Sequence, residues 1–255
     1  MITIKNSEDI EMLKEGGKRH AFILAELAKM VDVGVSTFAL NECAMKLLKE
    51  GGDKASFLNY TPDGAKRPYP AALCVSINDE IVHGIPNEHP RILKDGDVVT
   101  LDLGLTHQGM ITDSAITVGV GKISIEDKKL IEATKEALYA GIKVAKGGKH
   151  IGDIGYAVEQ VALRTGFAVA EGLAGHGVGY KVHEDPYVPN TGTRGVGEEL
   201  QPGMVIAIEP MLCVGKGDIV LEKDGYTFST KDGKNSAHFE HTILITEGEP
   251  VILTK

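Results

Sequence analysis

Apolar residues near the start of the chain recur at helical intervals: Ile10, Leu13, Phe22, Leu24, Leu27 and Val31 follow the polar run Ser7-Glu8-Asp9. That pattern predicts a helix opening at Ser7, with an apolar stripe for a core and a polar face for solvent. A second helix is expected from Ser36, carrying Leu40, Ala44, Leu47 and Leu48 until Gly51-Gly52 ends it. The period then changes. Leu73 to Ile85 and Val98 to Val120 are rich in β-branched residues and broken by Gly and Pro, which predicts strands and turns. Ser124, with Asp127 three residues on, resembles a capping box and opens a third helix reaching about Ala145. A fourth is expected from Asp153 to Gly166. From Val205 the strand pattern returns, with turns at Gly215–Gly217, Asp224-Gly225 and Asp232-Gly233.

The order helix, helix, strands thus occurs twice, and the two halves match in sequence. Lys94–Gly104 (KDGDVVTLDLG) corresponds to Leu200–Met211 (LQPGMVIAIEPM), each with an acid six residues after a glycine: Gly96 to Asp102 and Gly203 to Glu209. DSAITVGV from Asp113 corresponds to EHTILIT from Glu240, and VHGIP (Val82–Pro86) to VHEDP (Val182–Pro186). Three matches in register imply two related α/β halves, approximately 7–120 and 124–253, packed about a pseudo-twofold axis in a single domain spanning 1–255. Each half brings one histidine and two acids, which are expected to meet at the seam.

Composition removes several function classes. The 255 residues are 42% hydrophobic and 25% charged, ordinary for a globular protein with its own core. A net charge of −9 without any Lys/Arg run disfavours nucleic acid as a partner. No apolar stretch approaches the roughly 20 residues of a membrane helix, and the first residues lack the form of a secretory signal. Cys43, Cys74 and Cys213 are odd in number and scattered, so reduced thiols in a cytoplasmic protein are expected.

Asp102 lies within Val98-Val99-Thr100-Leu101-Asp102-Leu103, and Glu209 follows Val205-Ile206-Ala207-Ile208. One such acid has a bland explanation, a strand-end carboxylate bonded to backbone. Four acids in duplicated positions do not, because an ionised carboxylate among apolar neighbours is costly unless paired or metal-bound. No lysine or arginine lies beside them in sequence. A tight turn at His107-Gln108 would set Asp102 directly opposite Asp113, a repulsive pair. A meander about Asp224-Gly225 would likewise bring Glu209 to Glu240. Divalent cations supply the missing positive charge. His176, in GHGVG, adds an imidazole where glycines allow unusual backbone angles and close approach of a ligand. One imidazole and four carboxylates suit manganese, cobalt, iron(II) or zinc in a catalytic cluster better than a closed structural zinc site.

Asp102, Asp113 eleven residues later, His176 in GHGVG, Glu209 in IEPM and Glu240 in FEHTI resemble, in order, the ligand set of the type I methionine aminopeptidases of metallopeptidase family M24. The resemblance runs from about Ser7 to Leu253. It implies the pita-bread α/β fold, two pseudo-twofold-related halves of helices and antiparallel strands with a curved central β-sheet. It implies two divalent ions, with Asp102 on one, Asp113 and Glu240 bridging, and His176 and Glu209 on the other. Glu209 would also shuttle the water's proton. His83 in VHGIP would contact substrate near the scissile bond, and His183 in VHEDP would stabilise the tetrahedral intermediate. Tyr69 and Cys74 fall in the methionine pocket, and Asn78 and Ser236 match positions near a monovalent cation. The implied activity is removal of N-terminal methionine from nascent proteins and peptides with a small second residue, by a cytoplasmic monomer with ribosome association as a further expectation.

The chain also departs from the family's bacterial pattern. Val182 stands where phenylalanine is common, Tyr226 where tryptophan is familiar, and Asn59–Pro70 is longer, changes that reshape the methionine pocket or its rim. Proline-directed aminopeptidases and prolidases share the five ligands but carry an extra N-terminal domain, for which Asp102 comes too early. A catalytically silent binding protein of this fold has no need of the complete set with His83 and His183. Of the other histidines, His20, His89, His107 and His150 are expected at the surface. His241 should point away from Glu240, and His238 should share its face as a supporting residue and not a ligand.

Overall fold

The computed structural model describes residues 2–255. Its first half contains helices α1 (Ser7–Met30) and α2 (Thr37–Gly51), then strands β1 (Lys54–Ala55), β2 (Leu73–Ile77), β3 (Glu80–Val82), β4 (Val98–His107) and β5 (Met110–Gly119). The second half repeats the order with α3 (Ile125–Val144) and α4 (Ile151–Thr165), followed by β6 (Ala168–Val169), β7 (Ala174–Gly177), β8 (Glu184–Pro189) and β9 (Val205–Ile208). Strands β10 (Met211–Cys213), β11 (Ile219–Leu221), β12 (Phe228–Thr230), β13 (Ser236–His238), β14 (His241–Leu244) and β15 (Val251–Ile252) complete it.

Caps place the helix ends. The Asn6 side chain accepts from the backbone N–H groups of Glu8 and Asp9, and the Asp9 carboxylate accepts from Asn6 N–H, closing a capping box ahead of Ser7. Ser36 and Ser124 cap α2 and α3 as expected, and Gly52 and Gly166 end α2 and α4 in the left-handed conformation. Helix α4 begins at Ile151, ahead of the expected Asp153. Asp153 is its third residue, and its carboxylate reaches back to the N–H of His150.

The two halves bury matching faces. Leu24 and Leu27 of α1 and Leu40 and Leu48 of α2 pack on Leu73, Val75, Leu101 and Leu103 of β2 and β4. Leu138 and Ile142 of α3 and Ile154 of α4 pack on Ile206, Ile208 and Ile243 of β9 and β14. Each such side chain contributes about 1.5–3 kcal/mol of apolar burial. The larger sheets are β1-β4-β2, with β5 also on β4, and β15-β14-β9-β7-β8; two three-stranded sheets, β13-β10-β6 and β11-β12-β3, flank them.

The β4–β5 hairpin corrects one expectation. His107 pairs with Met110 across Gln108 (φ 49°) and Gly109 (φ 90°), the two left-handed residues of a type I′ turn. Asp102 therefore faces Ala115, and Asp113 faces Gly104. Moving the turn by one residue slides the register by two, so the acids are diagonal neighbours on one face, not directly opposed.

The halves are sewn together between β5 and the β13–β14 segment. Glu240 N–H donates to Ala115 O at 2.9 Å, and Ser114 Oγ donates to Glu240 O at 2.7 Å. Thr242 Oγ1 accepts from Asp113 N–H and donates to Asp113 O, while Thr117 Oγ1 accepts from His238 N–H and donates to His238 O. These buried hydroxyls satisfy backbone groups that an ordinary ladder would pair. They also set Asp113 and Glu240, equivalent residues of the repeat, side by side.

Candidate metal centre

Every strand that reaches the seam delivers one acidic or imidazole side chain to it. Asp102 comes from β4, Asp113 from β5 and His176 from β7. Glu209 and Glu240 follow and precede the last pair of the β9–β14 ladder, Ile208 with His241. The expectation that Glu209 and Glu240 meet holds, but through direct β9–β14 pairing; Asp224-Gly225 is only the tip between β11 and β12. Asp113, His176 and Glu240 each offer a ligand atom within 4.8 Å of the other two. His176 Nε2 lies 3.5 Å from Glu209 Oε1 and 4.0 Å from Asp113 Oδ2. His176 Nδ1 is 2.9 Å from Gly177 O and donates to it. That bond fixes the tautomer whose Nε2 lone pair faces the carboxylates, as a ligating imidazole requires.

The expected unusual backbone angle is found in GHGVG only at Gly179, with φ 139°. Neither Gly175 nor Gly177 has a positive φ. Instead, a Cβ on Gly175 would collide with Ala207 O, and one on Gly177 with Asp185 O, both carbonyls of adjacent backbone. The absent side chains let neighbouring strands close in on His176.

The donor set fits divalent cations. Asp102 Oδ1, Asp113 Oδ1 and Glu240 Oε1 are buried without a protein hydrogen-bond partner, which is costly unless a ligand takes them. Among the described residues, the ion pairs at this cluster involve only histidines and no lysine or arginine. Burial, with the neighbouring carboxylates, pushes Asp113 and Glu240 well above the usual carboxylate range. Burial likewise carries Asp102 to about 7 and Glu209 to about 8. Burial and His183 hold His176 down to about 3.

Two cavities meet at the cluster. One, of about 70 Å³, is a small pocket lined by Phe57, Tyr60, Tyr69, Cys74, Val182 and Tyr226 together with the metal-ligand candidates. The other is an open cleft of about 760 Å³ past Leu173, Tyr180, Tyr187 and Met211. His83, His176, His183 and Glu209 border both. The His176 and His183 rings stand edge to face at 4.4 Å, and Tyr60 Oη is 3.0 Å from His183 Nδ1. His83 is held in the left-handed conformation (φ 61°) against Phe228.

Comparison with known proteins matches residues 11–247 to metallopeptidase family M24. The chain belongs to that family. It is 47% identical to the methionine aminopeptidase of Aquifex aeolicus over all of this chain and 99% of that one. It superposes on the crystal structure of methionine aminopeptidase from Thermotoga maritima with TM-score 0.95 and 40% identity, each chain covered fully. The fold also matches an Xaa-Pro dipeptidase from Bacillus anthracis (TM-score 0.77, 21% identity), but this M24 chain covers only 62% of that protein.

Several histidines of this metallopeptidase lie elsewhere than expected. His20 is wholly buried, its Nδ1 3.0 Å from Thr112 Oγ1 beside Asp113, and His107 is buried against Asp53 at 2.7 Å. Both sit in polar or turn stretches of sequence, and only packing of α1 and β1 on the β4–β5 hairpin hides them. His89 is exposed as expected, His150 is half-buried, and His241 faces Tyr139 and Thr254, away from Glu240. His238 is fully buried, with Nε2 3.4 Å from Glu209 Oε2 and 4.0 Å from Glu240 Oε2. Tyr60 had no sequence signal, since only the fold of the 59–70 loop carries it to His183. Tyr226 closes the pocket edge-on to Tyr69, and its hydroxyl donates to Arg67 O in the lengthened loop. Asn78 O accepts from both N–H and Oγ of Ser236, so those two residues do adjoin.

The shifted carboxyls make a stability prediction for the metal-free M24 chain. Asp102 and Glu209 titrate above their unfolded values, so their contribution is full below about pH 4 and is lost as pH rises through 7–8. His83, His176 and His238, lowered by burial to about 4, 3 and 4, act oppositely, but only below their unfolded value near 6.5. From pH 6.5 to 8 the carboxyls prevail. Each one still holding its proton in the folded chain costs up to about 1.4 kcal/mol per pH unit. Thermal unfolding with chelator should show Tm falling across that window, and manganese should restore more at pH 8 than at 6.5 because metal displaces protons. A flat or rising metal-free Tm would contradict the assignment.

Proposed function

We propose that this M24 metallopeptidase releases N-terminal methionine from new proteins and peptides whose second residue is small. The observation carrying this is the small, largely apolar pocket lined in part by the metal-ligand candidates, which shares His83, His176, His183 and Glu209 with a larger open cleft. The small pocket would take one apolar side chain and the cleft the continuing chain, the layout of an exopeptidase. Tyr69, Cys74 and Tyr226, with Phe57 and Val182, would receive the methionine side chain. The near-complete mutual coverage with methionine aminopeptidases supports this reading over the proline-directed one.

Asp102, Asp113, His176, Glu209 and Glu240 would hold two divalent cations, whose chemistry is to polarise a carbonyl oxygen and acidify a water. Asp113 and Glu240, side by side at the seam, would contribute to holding both cations. Glu209, whose Oε1 lies 3.5 Å from His176 Nε2 at the cluster, would as a carboxylate take the water's proton and pass it to the leaving amine. His183 stays neutral because partial desolvation at the wall of the cleft lowers its pKa. With the Tyr60 hydroxyl donating to Nδ1, its Nε2–H donates to the oxygen that gains charge in the transition state. His83, also kept neutral by burial, lines both cavities and orients the peptide at the scissile bond. Manganese, cobalt, iron(II) or zinc fits the donor chemistry. A monovalent cation beside Asn78 and Ser236, a monomeric state, a cytoplasmic location and contact with the ribosome belong to the same reading. No described helix is long and apolar enough to cross a membrane.

The test is a peptide panel scored by mass spectrometry: Met-Ala-Ser, Met-Leu-Ser, Leu-Ala-Ser and Ala-Pro-Ser, each with the four metals and with chelator. Metal-dependent cleavage of Met-Ala-Ser, with Met-Leu-Ser slower on the order of 10²-fold, is expected. Preference for Ala-Pro-Ser would move the chain to the proline-directed branch.

A further inference from the structure

His183 is exposed to the cleft, yet the turn that carries it is fastened from far away in sequence. Its neighbour Glu184 has a carboxylate that is only 4% exposed and takes four donors. Oε1 accepts from the backbone N–H groups of Tyr180 (2.5 Å) and Lys181 (2.9 Å), closing the 180–184 turn on itself. Oε2 accepts from Lys5 Nζ at 2.7 Å and Thr3 Oγ1 at 2.5 Å. The Lys5 ammonium is fully buried and also donates to Thr3 Oγ1. It lies 4.7 Å over the Tyr180 ring, whose hydroxyl donates to Asp9 at the start of α1. Lys5 N–H donates to Gly203 O at 2.8 Å, anchoring the segment to the loop before β9. The N-terminal strap is therefore tied to the body at both ends and grips the carboxylate next to His183.

We infer that Lys5 and Thr3 are positioning residues for His183, acting through the Glu184 carboxylate. The methionine-releasing reaction proposed above is the reaction they serve, and the inference rests on that reading. Neither residue touches the metal-ligand candidates. A buried carboxylate stripped of its cation would seek water and open the turn. His183 Nε2 would then leave the position from which it meets the reacting oxygen. A displacement near 1 Å costs on the order of 10²-fold in rate.

The experiment is a double-mutant cycle on Met-Ala-Ser with metal-loaded full-length protein. Lys5→Met should lower kcat by about 10- to 100-fold with KM held within about 3-fold. In a His183→Ala background the same substitution should change kcat by less than about 2-fold, because the residue it positions is gone. A merely structural role would give equal fractional losses in both backgrounds. That result, or a loss carried by KM or by metal content, would overturn the inference. Thr3→Val removes one donor and no charge; it repeats the comparison if Lys5→Met does not fold, and wild-type kcat in it would then count against the clamp. Wild-type turnover and its loss in His183→Ala test the reaction itself. Failure there refutes that reading, whereas additive losses with both controls intact refute only the clamp.

Discussion

Glu240→Gln should abolish peptide hydrolysis and leave the fold standing. Its carboxylate is buried between Asp113 and His176, with Oε1 lacking any protein partner, and its backbone is bonded both ways to Ala115 across the seam. The amide keeps the shape and those backbone bonds but removes the charge that a bridging ligand needs. Losing an outer partner of a metal ligand typically costs about 10–100-fold in affinity or activity, so losing a bridge should cost more, on the order of 10³-fold in kcat/KM. Metal content by mass spectrometry should fall with it. Stability should respond in the opposite sense. Burial and the carboxylates around it push the Glu240 carboxyl well above the usual carboxylate range when no cation is present, and glutamine resembles the neutral form so favoured. In chelator, the variant's Tm should gain on wild type as pH rises, because only the wild type loses the stability of a raised carboxyl. Wild-type activity in Glu240→Gln, or a metal-free Tm that falls relative to wild type as pH rises, would remove Glu240 from the centre.

Gly177→Ala is the second large effect. The new methyl would strike Asp185 O, in the segment immediately after His183 and Glu184. The β7–β8 ladder already shifts register between His176 and Gly177, so it has no regular pairing to share the strain. Overpacking of this kind costs about 1–3 kcal/mol, and both His176 and His183 would be displaced. The expected result is a kcat loss on the order of 10² together with weaker metal binding and a lower Tm. Gly172→Ala is the control. At φ 76° it is strained by about 1–2 kcal/mol, but nothing lies within 4 Å of its added Cβ. It should lose stability and keep activity. If Gly177→Ala keeps wild-type kcat, the close approach of β8 to β7 is not what holds His176.

Much of this molecule was legible in one dimension. Helices α1, α2 and α3 start within a residue of their expected positions because Asn6, Ser36 and Ser124 cap through contacts only two or three residues away. The duplicated order of Asp102, Asp113, Glu209 and Glu240 announced a cluster because buried like charges demand compensation wherever they lie. The failures share a cause as well. The β4–β5 register missed by two residues because it depends on which pair, His107-Gln108 or Gln108-Gly109, takes the left-handed angles. His20 and His107 are buried, not at the surface as their polar sequence surroundings implied, because the elements covering them are remote in sequence.

By itself, then, the sequence determined the helices, the alternation that puts Asp102 and Asp113 on one face, the internal repeat and the identity of the ligand candidates. Each follows from periodicity and capping that act within a few residues, or from a charge imbalance independent of geometry. Only the tertiary structure decided that Asp113 and Glu240 stand together across a seam of threonine hydroxyls. Only there does Gly177 O select the His176 tautomer, Tyr60 meet His183, and Lys5 reach Glu184 from 179 residues away. Those contacts join distant segments, and their partners are chosen by packing of the whole chain, for which no local pattern carries a signal.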